Sequence, residues 1–297
     1  MSRRLTIVAA TLVVYLAVAG LFVIAVGGVG RRGEGGAPLF GPRVAIVEIE
    51  GIILDVDDVV RELKELRDNP SVRAVVMRIN SPGGVVGPTQ EVHDAILRLQ
   101  KAGKPVVASL GAVAASGGYY IAVAADQIYA NPGTLTGSIG VIMQMANFEQ
   151  LMKKVGVDYV VVKAGQFKDI GNPGRPMSPD ERRVLQGLLD DVHAQFIDAV
   201  AAGRKLGRED VVRFADGRVF SGMQAKELKM VDALGGLEDA VLAAGKLANL
   251  PSPPAVIQPK RKFSFMDLFR NQFGGSAAAA LLQPSLPAFK TPLYLMD

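Results

Sequence analysis

The sequence predicts an α/β fold in which parallel strands lie between layers of helix. Short runs of apolar, often β-branched residues alternate along the chain with longer stretches whose apolar residues recur every three or four positions. The first pattern is typical of buried strands and the second of amphipathic helices, and their alternation is typical of a parallel sheet covered by helices. A hydrophobic content of 49% over 297 residues is ample for a large core.

The predicted elements follow one another closely along the chain. The first strand begins near Val44 and reads VAIVEIEG, and the helix DVDDVVRELKELRDN follows and ends before Pro70. Next come the strand VRAVVMRIN, the helix GPTQEVHDAILRLQKAG and the strand PVVASL. A short helix after Ser116 and the strands QIYAN and DYVVVKAG complete the pattern, and a long helix is predicted over residues 179–204. The apolar stripe of this long helix consists of Leu185, Leu188, Val192, Phe196 and Val200.

The two ends of the chain differ from this body in composition. Residues 5–30 contain no charge, and about 20 apolar residues suffice to cross a bilayer, so residues 1–30 are predicted to form a cytoplasmic N-terminus and transmembrane anchor. The alternative is a cleaved signal peptide, which needs an apolar stretch of only about 7–15 residues. Residues 31–43 predict a flexible linker, and residues 44–250 the folded domain. Residues 251–297 predict a tail that is either disordered or docked on a neighbouring subunit.

Charge and residue content exclude several classes of function. The net charge is +4 without a long basic run, so no nucleic-acid partner is expected. The chain has no cysteine, which excludes a thiol nucleophile, disulfides and thiolate metal ligands. Its two histidines, His93 and His193, lack the spacing of a zinc site, and both lie in predicted helices, where a flanking role is more typical than catalysis. We therefore expect neither a metal nor a cofactor.

Ser116 and Lys168 are the candidate catalytic residues. Ser116 lies in GAVAASGGYY, on a predicted strand-to-helix turn from which a serine can attack while backbone N–H groups face the oxyanion. A serine needs a base, and a lysine can act as one when its surroundings favour the neutral amine. Lys168 lies in the loop-like segment AGQFKDIGNPGRPMS, where Phe167 and Ile170 would supply apolar surroundings and Arg175 would add like-charge repulsion. The alternative for Ser116 is that a small residue is needed at a crowded turn. The alternative for Lys168 is an ordinary solvated loop lysine.

Two further segments are candidates for supporting roles. Ser138 lies in TGSIG and would orient the lysine and relay its proton, or would serve ordinary turn chemistry. The segment SPGG, residues 81–84, follows a strand and precedes a helix, where paired glycines let the backbone approach a ligand closely. The alternative is a plain turn, since the spacing of a phosphate-binding loop is not met.

Five blocks in a fixed order resemble the signal peptide peptidase A family. This family comprises membrane-anchored Ser/Lys peptidases of the Clp-protease and crotonase superfamily, and the resemblance extends over about residues 44–250. It implies the superfamily's fold of repeated ββα units. The five blocks are RINSPGG, AASGGYY, TLTGSIGV, KAGQFKDIGNPGRPMSPDER and ADGRVFSGMQAKELKMVD.

The resemblance also implies roles for individual residues. The family's nucleophilic serine falls on Ser116, its lysine base on Lys168, and the hydroxyl that helps the lysine on Ser138. The resemblance places the oxyanion donors on the N–H groups of Gly84 and Gly117. The expected oxyanion and substrate site is lined by Gly83, Gly84 and Gly117.

At the level of the whole protein, the resemblance implies a membrane-anchored serine endopeptidase that degrades remnant signal peptides and other extended apolar peptides. The anchor would cross the cytoplasmic membrane of a bacterium once, with the catalytic domain on the extracytoplasmic side. The resemblance also implies a homo-oligomer, an octamer, in which a chain with a single copy of the fold takes the serine and the lysine of one site from adjacent subunits. Two alternatives stay open. One is a crotonase-type acyl-CoA hydratase or isomerase, which shares the fold but normally uses carboxylates, and the other is a catalytically inactive membrane scaffold.

Overall fold

The computed structural model describes residues 41–258 and the backbone of residues 293–295. The predicted anchor, nearly all of the linker and most of the tail lie outside these described residues. Within the described ranges, no helix is long and apolar enough to cross a bilayer.

A mixed β-sheet forms the centre of the domain. Its long strands are parallel, as the alternating pattern predicts, and each is buried on both faces because helices cover the two sides. The strands that pair in parallel are β1 (Arg43–Glu50), β2 (Val72–Ser81), β4 (Val106–Ala115), β5 (Gln127–Ala130), β6 (Leu135–Gly137), β8 (Ala233–Leu234) and β9 (Val256–Ile257).

Three details of the strands extend this picture. The sheet is mixed because β7 (Val219–Ser221) runs antiparallel to β6. Strand β9 pairs with β1, so the sheet includes residues of the segment assigned to the tail. A separate small sheet consists of β3 (Gly83–Val85) and the antiparallel β10 (Leu293–Leu295).

Helices cover both faces of the sheet. Successive residues of β1 point to opposite faces, so that Ala45 and Val47 join the larger core cluster while Val44 and Ile46 join a smaller one. Helix α8 packs over the smaller cluster, and α1, α2, α3 and α5 contribute to the larger one. The helices of the described ranges are α1 (Asp57–Asp68), α2 (Val86–Lys101), α3 (Gly117–Ala122), α4 (Glu149–Val155), α5 (Pro179–Arg204), α6 (Arg208–Val212), α7 (Gly222–Glu227) and α8 (Leu237–Leu247).

The long helix α5 has the bounds that the sequence predicts. It begins after Ser178, whose hydroxyl accepts from the N–H of Glu181 at 3.2 Å, while the Glu181 carboxylate accepts from the N–H of Ser178 at 2.8 Å. This capping box fixes the first turn locally. The predicted apolar stripe is only partly right, since Leu188 is exposed. The buried members of the stripe are Val192, Phe196 and Val200.

The predicted strand DYVVVKAG is wrong for the described chain. Residues 157–163 form no regular element, and the side chains of Val160 and Val162 are 82% and 96% exposed. A strand is stable only when a neighbouring strand pairs with its backbone, and the described part of the chain places none beside this segment. The β-branched composition alone therefore does not decide its structure.

Candidate active site

Ser116 occupies a strained turn between β4 and α3. Its backbone has φ 52° and ψ −118°, a region that non-glycine residues rarely adopt. The turn is fixed on both sides, because the Ser116 N–H donates to the Gly137 oxygen at 2.8 Å and its carbonyl accepts from the Tyr120 N–H at 2.8 Å. Such strain persists only where the surrounding structure enforces it, and it concentrates at active sites. The geometry is that of a nucleophile presented on a strand-to-helix turn.

The side chain of Ser116 is buried, and its hydroxyl is unpaired among the described residues. The residue is 0% exposed, and no group of the described residues forms a hydrogen bond with its Oγ. Leaving a buried hydroxyl unpaired costs about 1–3 kcal/mol, so an unpaired hydroxyl in a native structure needs an explanation. A catalytic role is such an explanation, because the hydroxyl of a nucleophile gains its partners only when the base and the substrate are in place.

The glycines that the sequence singles out lie against this turn. Gly117 is the first residue of α3, so its N–H has no partner within the helix. A methyl group at Gly117 would come within 3.2 Å of the backbone nitrogen of Gly84 and the Cα of Gly83. Gly84 is itself pressed against the chain, since a Cβ there would stand 2.0 Å from the carbonyl oxygen of Ile53. The structure thus brings Gly83, Gly84 and Gly117 together beside Ser116.

Ser138 lies next to Ser116 because of strand pairing. Strands β4 and β6 are parallel and adjacent, with Ala115 opposite Gly137, so the residues that follow their carboxyl ends are neighbours. Ser138 is buried and also has a positive φ, 51°, and its N–H donates to the Arg218 oxygen at 2.8 Å. Two serines in unusual backbone conformations therefore share one edge of the sheet.

Lys168 does not reach Ser116 within the described chain. Its side chain is exposed, and no ion pair or hydrogen bond of this side chain occurs within residues 41–258. Phe167 is exposed as well, so the expected apolar surroundings are not built around the lysine by these residues. Arg175, expected to repel the lysine, is instead paired with Asp169 and Glu181. Within residues 41–258, the candidate nucleophile and the candidate base therefore form no hydrogen bond with each other.

An ion-pair network that the sequence analysis did not identify surrounds the Lys168 loop. Asp169 forms ion pairs with Lys163 and with Arg175, and Arg175 also forms an ion pair with the buried Glu181. Hydrogen bonds from Lys163 and Arg175 hold the pKa of Asp169 well below its usual range, and those from Arg175 and Ser178 lower the pKa of Glu181 to about 2. The signal in the sequence is an alternation of charge at intervals of six residues, from Lys163 through Asp169 and Arg175 to Glu181.

Comparison with known proteins identifies the family. Residues 98–251, more than half of the chain, match the model of peptidase family S49, and residues 48–136 match the model of Clp protease. This chain belongs to peptidase family S49. Its α/β domain with a mixed sheet is accordingly of the Clp-protease type.

Relatives of this S49 chain include proteins of different length. A putative protease of Synechocystis sp. is 46% identical over 70% of this chain and 75% of its own length. Protease 4 of Haemophilus influenzae is 34% identical, with 72% of this chain covered, and the chain spans only 36% of that protein. A putative signal peptide peptidase of Enterococcus faecium is 36% identical over 61% of this chain and 52% of its own length.

The two histidines of this S49 chain are built into its packing. His93 is largely buried and lies against Tyr120, with ring centroids 5.0 Å apart, and burial lowers the pKa of His93. The Nε2 of His193 is buried without a hydrogen-bond partner within the described ranges. Neither ring forms a hydrogen bond with the Oγ of Ser116 within residues 41–258. In the same part of the chain, no three acidic, histidine or cysteine residues form a group that could hold a metal ion.

The edge of β3 pairs with an extended segment of the same chain. Leu293–Leu295 runs antiparallel to Gly83–Val85, with Tyr294 opposite Gly84. The backbone beside the candidate oxyanion glycines therefore accepts an extended strand. This pairing is the geometry by which proteins bind peptides along a sheet edge.

Proposed function

We propose that this S49 protein is a serine endopeptidase in which Ser116 is the nucleophile and Lys168 the general base. The observation that carries the proposal is the buried, unpaired hydroxyl of Ser116 on a strained strand-to-helix turn. The glycine N–H groups beside it supply donors for a developing negative charge. The lysine is assigned by the family's motif, which falls on Lys168.

The reaction would proceed through an acyl-enzyme. The Oγ of Ser116 attacks the scissile carbonyl carbon, and the neutral amine of Lys168 accepts the hydroxyl proton. The N–H groups of Gly84 and Gly117 stabilise the oxyanion, and Lys168 then protonates the leaving amine. Water attacks the ester in the second half, with the same amine as base. Ser138, at the adjacent strand end, would orient Lys168.

The base would come from an adjacent subunit of a homo-oligomer. Support comes from the separation of an unpaired Ser116 from an exposed Lys168. It also comes from the exposed apolar side chains of Val157 and of residues 159–162, interrupted only by Asp158, since exposed apolar patches mark interaction sites. The octamer is the assembly that the family resemblance implies.

The substrates would be extended apolar peptides, including remnant signal peptides. The antiparallel pairing of β10 with β3 supports an extended bound conformation. The name of the Enterococcus faecium relative supports the signal-peptide class. Cleavage would follow where a scissile carbonyl meets Ser116 beside the paired edge.

The protein would act on the extracytoplasmic side of the bacterial cytoplasmic membrane. The proposal rests on the uncharged residues 5–30, which lie outside the described residues. A chain that lacks residues 1–36 should be soluble and active, because these residues precede β1. If the truncated chain stays in the membrane fraction, the anchor is misplaced.

A fluorophosphonate probe tests the chemistry directly. The detergent-purified protein should be labelled, with the adduct on the peptide that contains Ser116. Ser116→Ala should abolish labelling, while Ser71→Ala, at an exposed serine before β2, should leave it unchanged. No adduct on a folded oligomer would favour the scaffold or the hydratase alternative, and an adduct on another serine would refute the assignment.

A further inference from the structure

The loop that carries Lys168 has little regular structure to hold it. Residues 157–178 form neither helix nor strand. Backbone hydrogen bonds within the loop are local, such as those from the Lys168 N–H to the Gly165 oxygen at 3.2 Å and from the Asn172 N–H to the Asp169 oxygen at 3.0 Å. A catalytic base must nevertheless be held within a fraction of an ångström of its working position. One backbone bond reaches the loop from outside, from the Phe148 N–H to the Pro173 oxygen at 2.7 Å, so side chains must supply most of the remaining rigidity.

Asp169 is the centre of the side-chain contacts in this loop. One carboxylate oxygen, Oδ1, pairs with Lys163, and the other, Oδ2, accepts from Arg175 Nε at 3.1 Å and from Asn172 Nδ2 at 3.4 Å. The Arg175 Nη2 also lies 2.9 Å from Oδ2. Asp169 thereby ties together the start and the end of the loop.

Arg175 extends this tie to a rigid helix. Its Nη1 and Nη2 donate to the two carboxylate oxygens of Glu181 at 2.8 and 2.5 Å. Glu181 is 3% exposed and forms the capping box of α5 with Ser178. Helix α5 is 26 residues long, and one side of its second half, with Val192, Phe196, Ile197 and Val200, is buried in the core. The lysine loop is thus anchored to a helix whose position the core determines.

Stability alone does not explain why this network exists. A buried ion pair is often neutral compared with apolar residues of the same volume, because removing charges from water costs about as much as their attraction returns. The network's position is more informative, since Asp169 is the direct neighbour of Lys168.

The charge of Asp169 bears on the chemistry of that neighbour. A free carboxylate within about 4–6 Å favours the charged form of a lysine, which cannot accept a proton from a serine. In this structure both oxygens of Asp169 are occupied by other cations and amides. The carboxylate is therefore turned away from the role of counter-ion to Lys168.

We propose that Asp169, Arg175 and Glu181 are positioning residues for Lys168. Glu181 and Arg175 anchor the loop to α5, and Arg175 with Lys163 keeps the Asp169 carboxylate from pairing with the lysine amine. The inference rests on the proposed role of Lys168 as general base.

The test is the pH dependence of peptide cleavage by the full-length oligomer in detergent, with a fluorogenic apolar peptide as substrate. In Arg175→Gln the Asp169 carboxylate keeps Lys163 but loses its other cation, so Oδ2 becomes able to pair with Lys168 and the alkaline limb of kcat should move up by about one pH unit. Loss of the anchor should lower kcat at pH 8 by about tenfold or more, with KM changed by less than about twofold. In Asp169→Asn/Arg175→Gln the limb should return to the wild-type position, because the released carboxylate is gone.

Matched variants separate the outcomes. Arg183→Gln removes an exposed pair with Asp180 in the first turn of the same helix and should change nothing. Arg175→Lys keeps the positive charge but loses the bidentate hydrogen bonds to Glu181, so kcat should fall while the limb of the pH profile stays in place. This variant tests the proposal if Arg175→Gln does not fold. Wild-type kcat and pH profile in both folded Arg175 variants, or a loss of activity in Arg175→Gln without any shift of the limb, would overturn the proposal. Activity retained in Lys168→Ala would instead refute the proposed base itself.

Discussion

Ser116 and Lys168 are held in opposite ways. Ser116 lies on a backbone turn that the core enforces, between a strand buried on both faces and a buried helix. Lys168 lies on an exposed loop without regular structure, which ion pairs tie to the start of α5. The Ser116 half of the candidate site is thus preformed by packing, and the Lys168 half lies on the surface.

This difference indicates that Ser116 depends on the core of its own domain, whereas Lys168 is available at the surface. The combination of φ 52° and ψ −118° at Ser116 persists only where the surrounding structure enforces it, so the proposed nucleophile belongs inside the domain. Lys168, the proposed base, lies on a surface loop without a partner among the described residues and is accessible to another subunit. The comparison between the two regions therefore predicts a site completed by association.

The largest expected effect comes from separating the two halves. Ser116→Ala and Lys168→Ala should each lower kcat by about a thousandfold or more, since members of a catalytic unit act together. After subunit exchange, a mixture of the two inactive proteins should regain part of the activity, because some interfaces pair an intact serine with an intact lysine. Cleavage of a fluorogenic peptide before and after exchange measures this recovery.

The control is each inactive protein carried through the same exchange alone, which should stay inactive. Absence of recovery in the mixture, with exchange proven by differently tagged subunits, would falsify the shared site. It would leave the Ser/Lys chemistry itself untouched.

A smaller effect tests the rigidity of the Ser116 half. In Gly84→Ala the new methyl group would meet the Ile53 oxygen at 2.0 Å, so the backbone of β3 must shift. We expect a loss of about 1–3 kcal/mol in the free energy of unfolding. A displacement of the Gly84 N–H should also lower kcat by up to about a hundredfold. Thermal melting and steady-state kinetics measure the two effects.

Gly87→Ala is the matched control, three residues along in α2. A methyl group there meets no atom within 4 Å, and alanine in a helix is about 0.5–1 kcal/mol more stable than glycine. This variant should be at least as stable and as active as the wild type. Equal behaviour of the two glycine variants would show that the close approach at Gly84 is not needed.

The smallest effect is expected from the histidines. His93→Gln/His193→Gln should keep most of its activity, and the pH profile should lack a limb near pH 6.5, the ordinary value for histidine. Activity should instead rise on the alkaline side of neutrality, as expected for a lysine base. A folded double variant without activity would contradict the assignment of Lys168 as the base.

Stability should respond to His93 even though activity does not. Burial lowers the pKa of His93, so below about pH 6.5 the unfolded chain binds a proton that the folded chain resists. The free energy of unfolding should therefore decline as the pH falls below that value, and His93→Gln should decline less. Thermal melting between pH 7.5 and 5 compares the two proteins.

Much of the fold could be predicted from local patterns. The bounds of α5 follow from the capping box at Ser178 and Glu181 and from the apolar period, both of which act within a few residues. The strands β1 and β2 follow from apolar runs too short and too β-branched for helix. The sequence could not predict that residues 157–163 would lack a strand, because a strand depends on a partner elsewhere in the chain.

The sequence by itself determined which chemistry the chain carries: a serine on a glycine-rich turn, a lysine in a broken loop and no thiol. Tertiary structure decided which of these groups meet. Parallel pairing of β4 with β6 brings Ser138 to Ser116, and the close approach of Gly84 to Gly117 forms the candidate oxyanion site. The anchoring of Asp169 through Arg175 to Glu181 also appears only in three dimensions. The physical reason is the separation along the sequence of the residues that interact. Turns and caps depend on neighbouring residues, while strand pairing and buried ion pairs depend on residues farther apart in the chain.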